Sequence, residues 1–229
     1  MQVWNWQGFL DYLLNPFLLE GAVTTLWLTA AALLVGLVLG TGIALMRLSG
    51  NRLLAGIAGG YCWIFRGTPL LVQLLIIYTG LPLFGLRLSV VQAALLGLSL
   101  NEAAYLSEIV RAGIAAVPRG QREAGLALGL RPTAVFRHVT WPQAFRIIIP
   151  PLGNSVNGLL KTTSITSVIS MEELLRRTQI LIQERFLVLE LFAVAAIYYL
   201  LMTSAWDCVQ RRLEQRYGRG YGAEARDRR

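Results

Sequence analysis

Residues 21–46 read GAVTTLWLTAAALLVGLVLGTGIALM and contain no charged side chain. A helix needs about 20 apolar residues to cross the hydrocarbon core of a bilayer, so this stretch predicts a membrane-spanning helix. Arg47 and Arg52 follow it, as is typical of the cytoplasmic end of such a helix. Over all 229 residues, 55% are hydrophobic and only 15% are charged. This composition excludes an ordinary soluble domain.

Four further apolar stretches follow along the chain. The second, at about 53–79, is interrupted by the sequence RGTP at 66–69, where proline should make the helix kink or restart. We expect the restart to have Thr68 as its cap and Pro69 at its first helical position. The remaining spans are predicted at about 88–110, 147–171 and 186–206. The predicted fold class is an all-α membrane protein with five transmembrane helices.

Positive charge is distributed unevenly between the connecting segments. Those assigned to the cytoplasmic side hold 15 of the 21 basic residues, and those assigned outside hold four. This asymmetry predicts an N-terminus outside and a C-terminus inside. The net charge of +8 is therefore attributed to orientation, and nucleic acid is not a predicted partner.

The chain is divided into three parts. Residues 1–20, rich in tryptophan, tyrosine and phenylalanine, are predicted to form an interfacial N-terminal segment on the membrane. Residues 21–208 form the transmembrane domain, which includes a cytoplasmic loop at about 118–142. Residues 209–229 form a basic cytoplasmic tail that faces anionic lipid.

The stretch at 118–154, PRGQREAGLALGLRPTAVFRHVTWPQAFRIIIPPLGN, is basic and punctuated by glycine and proline. It predicts one short helix at 121–128, closed by Gly129, and a second from about residue 132 to Pro142. We call residues 118–142 the knob. Its apolar surface, rimmed by arginines, suits docking into a groove of another protein and consists of Ala124, Leu128, Val135 and Phe136. The alternative is a solvated loop that only orients the protein.

Spacing within the knob resembles the EAA loop of ABC importer permeases. The family pattern is Glu-Ala-Ala, three residues, Gly, nine residues, Ile, one residue and Leu-Pro. Glu123, Ala124, Gly129 and Pro142 match this pattern. The three substitutions are Gly125 for the second Ala, Val139 for the Ile and Trp141 for the Leu.

Further stretches narrow the resemblance to polar amino-acid uptake permeases of the type I importer class, over about residues 20–208. They are RGTPLLVQ at 66–73, YLSEIVRAGI at 105–114, PQA at 142–144 and LKTTS at 160–164. The resemblance implies a multi-pass protein of the bacterial inner membrane, with a second permease subunit, two cytoplasmic ATPase subunits and an external solute-binding protein. It also implies that the ATPases grip Glu123, Ala124, Gly125, Gly129, Val135, Phe136 and Pro142.

ATP handling is assigned to the partners. A P-loop needs Gly-Lys followed by Ser or Thr, whereas the only lysine, Lys161, follows Leu160. We therefore expect no cofactor in this chain, with ATP and Mg bound by the ATPase subunits, and no enzymatic activity of its own. The single histidine, His138, cannot build a metal site alone.

Charged residues near the middle of a span are costly in lipid, so they mark a substrate pathway or pair with each other. Backbone N–H groups at the restarted helix are candidates for a substrate carboxylate, and Glu102 for its ammonium group. The alternative is that Arg66–Glu102 or Lys161–Glu108 pairs only lock helices together. The full candidate pathway is Arg66, Thr68, Gln73, Tyr78, Glu102, Asn157, Lys161, Thr162, Thr163 and Ser164.

One departure from the family bears on substrate choice. Many members carry Asp directly after the lysine, where this chain has Thr162. This weakens the case for a carboxylate that selects cationic amino acids.

The main hypothesis is an importer permease that alternates access under the control of ATPases. A membrane-embedded enzyme lacks a nucleophile–base grouping, and a passive channel would leave the knob without a purpose.

Overall fold

The computed structural model describes residues 4–217, and within that range the chain is helical with no β-strand. The helices are α1 (Trp6–Tyr12), α2 (Pro16–Leu48), α3 (Arg52–Gly67), α4 (Leu70–Leu75), α5 (Val90–Ala115), α6 (Arg119–Ala127), α7 (Pro132–Val135), α8 (Trp141–Thr162), α9 (Leu174–Arg185) and α10 (Val188–Tyr217). After α4 the chain continues through a π-helical turn (Ile76–Gly80) and a 3₁₀ turn (Leu81–Phe84). A second π-helical turn (Phe136–Thr140) joins α7 to α8, and a 3₁₀ segment (Thr163–Ile169) follows α8. The all-α class is confirmed.

Two of these helices, α2 and α10, are each long and apolar enough to cross a membrane. The bent pair Arg52–Gly67 and Leu70–Phe84 raises that number to three if it counts as one span. α2 begins at Pro16, five residues before the predicted start, because the Asn15 side chain accepts the Phe17 N–H at 2.9 Å and caps it. The predicted count of five spans stays a prediction.

Close packing of α2 against α5 forms the centre of the molecule. A Cβ atom on Gly40 would lie 2.8 Å from the carbonyl oxygen of Ala103, and one on Gly36 would lie 3.3 Å from Cβ of Glu102. Only glycine allows the two backbones to approach this closely. Gly36 and Gly40 therefore let α2 contact α5 closely. Gly42 faces open space.

The second span is broken as predicted, with a bend of 104° between α3 and the α4 segment. The expected capping was wrong by one residue, because Pro69 itself occupies the N-cap position and Leu70 is the first helical residue. Thr68 instead ends α3, and its hydroxyl donates to the carbonyl of Ile64 at 2.8 Å.

The later helices differ from the predicted boundaries at several points. The second knob helix does not stop at Pro142 but runs through a wide turn, Phe136–Thr140, directly into α8. Pro142 cannot donate to the carbonyl four residues back, and the wider turn before it relieves that clash. α10 continues to Tyr217, so the first part of the predicted tail is helical. Residues 1–3 and 218–229 of the predicted terminal segments lie outside the described range.

Candidate functional site

The break between α3 and α4 is held by two side-chain amides. The two hydrogens on Gln73 Nε2 are shared among three acceptors, the carbonyls of Phe65 (2.9 Å) and Thr68 (3.0 Å) and the Thr68 hydroxyl (2.8 Å). Asn101 on α5 donates to Gln73 Oε1 at 3.0 Å and to the Phe65 carbonyl at 3.2 Å. A broken helix is stable at membrane depth only if its freed carbonyls find partners, and these amides provide them. Sequence reasoning did not select Asn101 as a site residue.

A cleft of about 510 Å³ opens beside this break, between α3, α4, α5 and α8. Four predicted pathway residues line it: Arg66, Thr68, Glu102 and Thr162. Further lining side chains, not selected from the sequence, include Asn101, Tyr105, Glu108 and Ser155. We call this space the polar cleft. Polar groups of both charge signs converge there, which suits a zwitterionic ligand.

Glu102 is the most enclosed charged group of the polar cleft, with 9% of its surface exposed. Its Oε1 atom is buried and has no hydrogen-bond partner within the described part of the chain. α2 packs directly behind it at Gly36. A buried carboxylate oxygen without a partner is costly, so this group is suited to receive a hydrogen-bond donor from a ligand.

Arg66 lies at the rim of the polar cleft and remains 42% exposed. Its guanidinium lies 5.6 Å from the centre of the Tyr105 ring, and its Nη1 atom lies 3.9 Å from Glu108 Oε2. Glu108 also pairs closely with Arg47 and Arg111, so it ties α2 and α5 together near their ends. The alternative pairs expected from the sequence were therefore wrong for Glu108, since its partners are three arginines and not Lys161.

The other predicted pathway residues lie away from the polar cleft lining. Tyr78 packs against the central apolar cluster, and the Thr163 hydroxyl donates to the Leu160 carbonyl at 2.8 Å. Asn157 donates to Asp207 of α10 at 2.7 Å. Lys161 and Ser164 line a separate cavity of about 360 Å³ beside α10. The structure thus brings four of the ten predicted residues together at the polar cleft and places the other six elsewhere.

The knob is a pair of short helices around Gly129, as predicted. Gly129 has φ +80°, a left-handed conformation that glycine adopts without strain. The Leu130 N–H bonds to the Gly125 carbonyl at 3.2 Å and the Gly129 N–H to that of Leu126 at 2.9 Å, which closes the end of α6. A Cβ on Gly125 would lie 3.0 Å from Val135 Cγ2, so Gly125 lets α6 pack tightly on α7.

The exposed apolar surface of the knob differs in part from the prediction. Leu128 is 82% exposed and Phe136 is half-exposed, whereas Val135 is buried between the two helices. The expectation that Val135 contributes to an outer surface was wrong, because the glycine at 125 leaves room for its side chain inside. Leu126 and Leu130 are exposed and flank Leu128. Leucine at every second position from 126 to 130 was the sequence signal for this apolar surface, and the sequence analysis used only Leu128.

The remaining predicted coupling residues lie on the surface of the knob. Glu123 and Ala124 are exposed on α6, and Pro142 is exposed at the start of α8. Arg122 lines a small cavity of about 260 Å³ with Leu45 and Leu48 at the end of α2. Among the described residues, no group of three or more His, Cys, Asp and Glu side chains could hold a metal ion.

Apolar helices long enough to span a membrane, a polar cleft at a broken helix and a projecting helix pair are features of a membrane transport subunit. Residues 16–219 match the model of the family described as "Binding-protein-dependent transport system inner membrane component". The chain belongs to this family, and the prediction of an ABC importer permease is confirmed.

Relatives and solved structures agree with that assignment. The chain is 39% identical to the arginine transport system permease ArgU of Corynebacterium glutamicum, over 96% of this chain and 74% of the relative. It is 38% identical to the glutamine transport system permease GlnP of Escherichia coli, over 88% and 93%. A crystal structure of an amino acid ABC transporter with histidines has 37% identity and a TM-score of 0.88, over 94% and 100%. An inward-facing MetNI methionine ABC transporter, at 21% identity and a TM-score of 0.67, shares the fold over 86% and 95%.

Proposed function

We propose that this permease subunit carries a polar amino acid inward through the polar cleft. The observation that carries the proposal is the partnerless buried oxygen of Glu102 in the same cleft as the exposed guanidinium of Arg66. A free amino acid presents an ammonium group and a carboxylate at a fixed short separation, and these two side chains complement them. The relatives' names, which specify arginine and glutamine, support this substrate class.

The proposed topology has five spans, with the N-terminus outside and the C-terminus inside. In that orientation α3 runs outward from Arg52, and Arg66 lies about 21 Å along it at 1.5 Å per residue. Arg66 is then within the bilayer while 42% exposed, and its guanidinium reaches Glu108 at 3.9 Å. A charged side chain at that depth faces a pathway or a protein neighbour in preference to lipid. This supports the proposal that the polar cleft faces the transport pathway and not the lipid.

Side-chain selectivity is assigned to the neutral groups of the polar cleft. Thr162 and Ser155 offer hydroxyl groups around Glu102, and Asn101 offers its amide oxygen, since its amide hydrogens bond Phe65 and Gln73. A hydroxyl at Thr162 provides no counter-charge for a guanidinium or ammonium group. We therefore propose that neutral polar amino acids are carried in preference to cationic ones.

Transport is driven by partner subunits. Two ATPases, which bind ATP and Mg, hold the knob through Leu128, Phe136 and the side chains around Glu123. A second permease subunit, identical or different, completes the pathway, and an external solute-binding protein delivers the amino acid. ATP-driven closure of the ATPases moves the two knobs together and alternates access to the polar cleft in the bacterial inner membrane.

The experiment is uptake of labelled glutamine, arginine and other polar amino acids into proteoliposomes that contain the whole transporter. We expect uptake that requires both ATP at the knob side and the solute-binding protein at the other, with glutamine preferred to arginine. Uptake without ATP would point to a channel. No uptake of any amino acid by an active ATPase complex would overturn the substrate class.

A further inference from the structure

An apolar groove lies on the opposite side of α8 from the polar cleft. On α8, Ser155, Gly158 and Thr162 line the polar cleft, whereas Val156 and Leu160 line this groove. The groove has a volume of about 550 Å³ and is bounded by α2, α8 and α10. That volume lies within the range of roughly 300–1,000 Å³ that is usual for small-ligand sites. It has no part in the proposed transport path.

The two polar side chains that line the groove already have hydrogen-bond partners. The Thr29 hydroxyl donates to the Thr25 carbonyl at 2.7 Å, and the Trp206 indole N–H donates to the Gly153 carbonyl at 2.8 Å. The other lining side chains are leucine, valine, alanine and methionine. An occupant therefore needs no hydrogen-bonding groups, and an apolar chain fits best.

The position of the groove along the helices indicates where that chain comes from. Its walls α2 and α10 are the two helices that are long and apolar enough to cross a membrane. The α10 residues that line it, from Leu201 to Val209, lie about 20–32 Å along the helix from Val188 at 1.5 Å per residue. The α2 wall, from Leu26 to Leu33, ends about 21 Å before Arg47. In the proposed orientation, the groove thus lies around the middle of the bilayer, and its α10 wall extends from there toward the cytoplasmic boundary.

Positive charge lies at the cytoplasmic end of the groove. Arg212 is exposed and follows Val209 by three residues, so it lies one turn further along the same helix face. The two nearest acids on α10 are bonded to neutral amides: Asp207 accepts from Asn157 at 2.7 Å and Glu214 from Gln210 at 2.8 Å. Neither forms a salt bridge with Arg212 within the described range, which leaves the guanidinium for an external anion.

We propose that the groove binds an acyl chain of an anionic phospholipid whose phosphate headgroup lies against Arg212. Charge favours this occupant over a second copy of the chain. Two copies that met along this groove would bring six arginines together, both sets of Arg211, Arg212 and Arg216, against only four acids, both sets of Asp207 and Glu214. An anionic headgroup at the cytoplasmic surface instead matches their charge.

The test uses the whole transporter in phosphatidylcholine nanodiscs, with a trace of phosphatidylglycerol that carries a photoactivatable group at the end of its acyl chain. Mass spectrometry then maps the labelled peptides. We expect labelling of residues 26–33 and 201–209, about fivefold above that given by the matching photoactivatable phosphatidylcholine. Arg212→Gln should remove this preference. Arg211→Gln, which deletes the same charge at the same depth on another helix face, should retain it.

A groove-filling variant provides a second readout. Ala205→Trp should abolish labelling of both peptides by either lipid. Equal labelling by the two lipids, or a preference that survives Arg212→Gln, would overturn the headgroup assignment. Cross-links that join these peptides to a second copy of the chain would show that the groove is a subunit interface and would overturn the proposal. These outcomes do not depend on which solute is transported.

Discussion

Gln73→Leu tests whether one buried amide holds the helix break that shapes the polar cleft. The two Nε2 hydrogens of this side chain are shared among three acceptors at the break, and its Oε1 atom accepts one bond from Asn101. Leucine has a similar volume but removes these three hydrogen bonds. The Phe65 carbonyl keeps its bond from Asn101, whereas the Thr68 carbonyl loses its side-chain donor.

The expected destabilisation follows from the number of bonds. Hydrogen bonds between membrane helices contribute on average about 0.6 kcal/mol, so three of them amount to about 2 kcal/mol. For a domain of this length, such a loss lowers the melting temperature by roughly 4–8 °C. Thermal unfolding of the detergent-purified transporter, followed by tryptophan fluorescence, measures it.

A matched control shows whether replacing a glutamine by leucine elsewhere in the protein has the same effect on stability. Gln143→Leu removes a single bond, from Nε2 to the Val139 carbonyl at 2.9 Å inside a helix. It should cost no more than about 0.6 kcal/mol. Equal melting temperatures for the two variants would refute the role given to Gln73 at the break.

Two further predictions concern the polar cleft and the helix behind it. Glu102→Gln should raise the half-saturating substrate concentration roughly ten- to hundredfold, since a charge-assisted hydrogen bond contributes about 1.5–3 kcal/mol. The control is Glu190→Gln, which should transport normally, because Glu190 only accepts the Asn5 N–H at 2.8 Å. Uptake assays compare the two, and equal wild-type uptake would remove Glu102 from the site. Gly40→Leu should destabilise the protein by about 1–3 kcal/mol or prevent folding, because its Cβ would lie 2.8 Å from a backbone oxygen. Gly42→Leu, in open space, should change stability by no more than about 1 kcal/mol, and melting curves that do not separate the two variants would contradict the packing assigned to α2.

Local signals in the sequence were sufficient for much of the fold. The charge-free run of residues 21–46 lies within α2, because length and apolarity alone determine such a helix. The RGTP sequence located the break, and Gly129 located the bend of the knob, since both depend on the backbone limits of single residues.

Features that depend on packing between distant segments could not be predicted in this way. Whether Glu108 pairs with Lys161 or with arginines depends on how α2, α3 and α5 lie together, and spacing along the chain does not contain that information. Asn101 became recognisable only when α5 was placed beside the broken helix. Val135 is buried because Gly125 faces it, a relation between two helices.

In the proposed mechanism the knob couples this permease to separate ATPases, and co-purification tests that coupling without an uptake assay. Glu123→Arg reverses one exposed charge on α6, and Glu184→Arg makes the same change on α9, on the opposite side of the membrane in the proposed topology. From mild detergent, we expect tagged wild type and Glu184→Arg to retain the ATPase subunits and Glu123→Arg to lose them while still inserting into the membrane. Full ATPase retention and ATP-driven uptake by Glu123→Arg would contradict the coupling role of the knob.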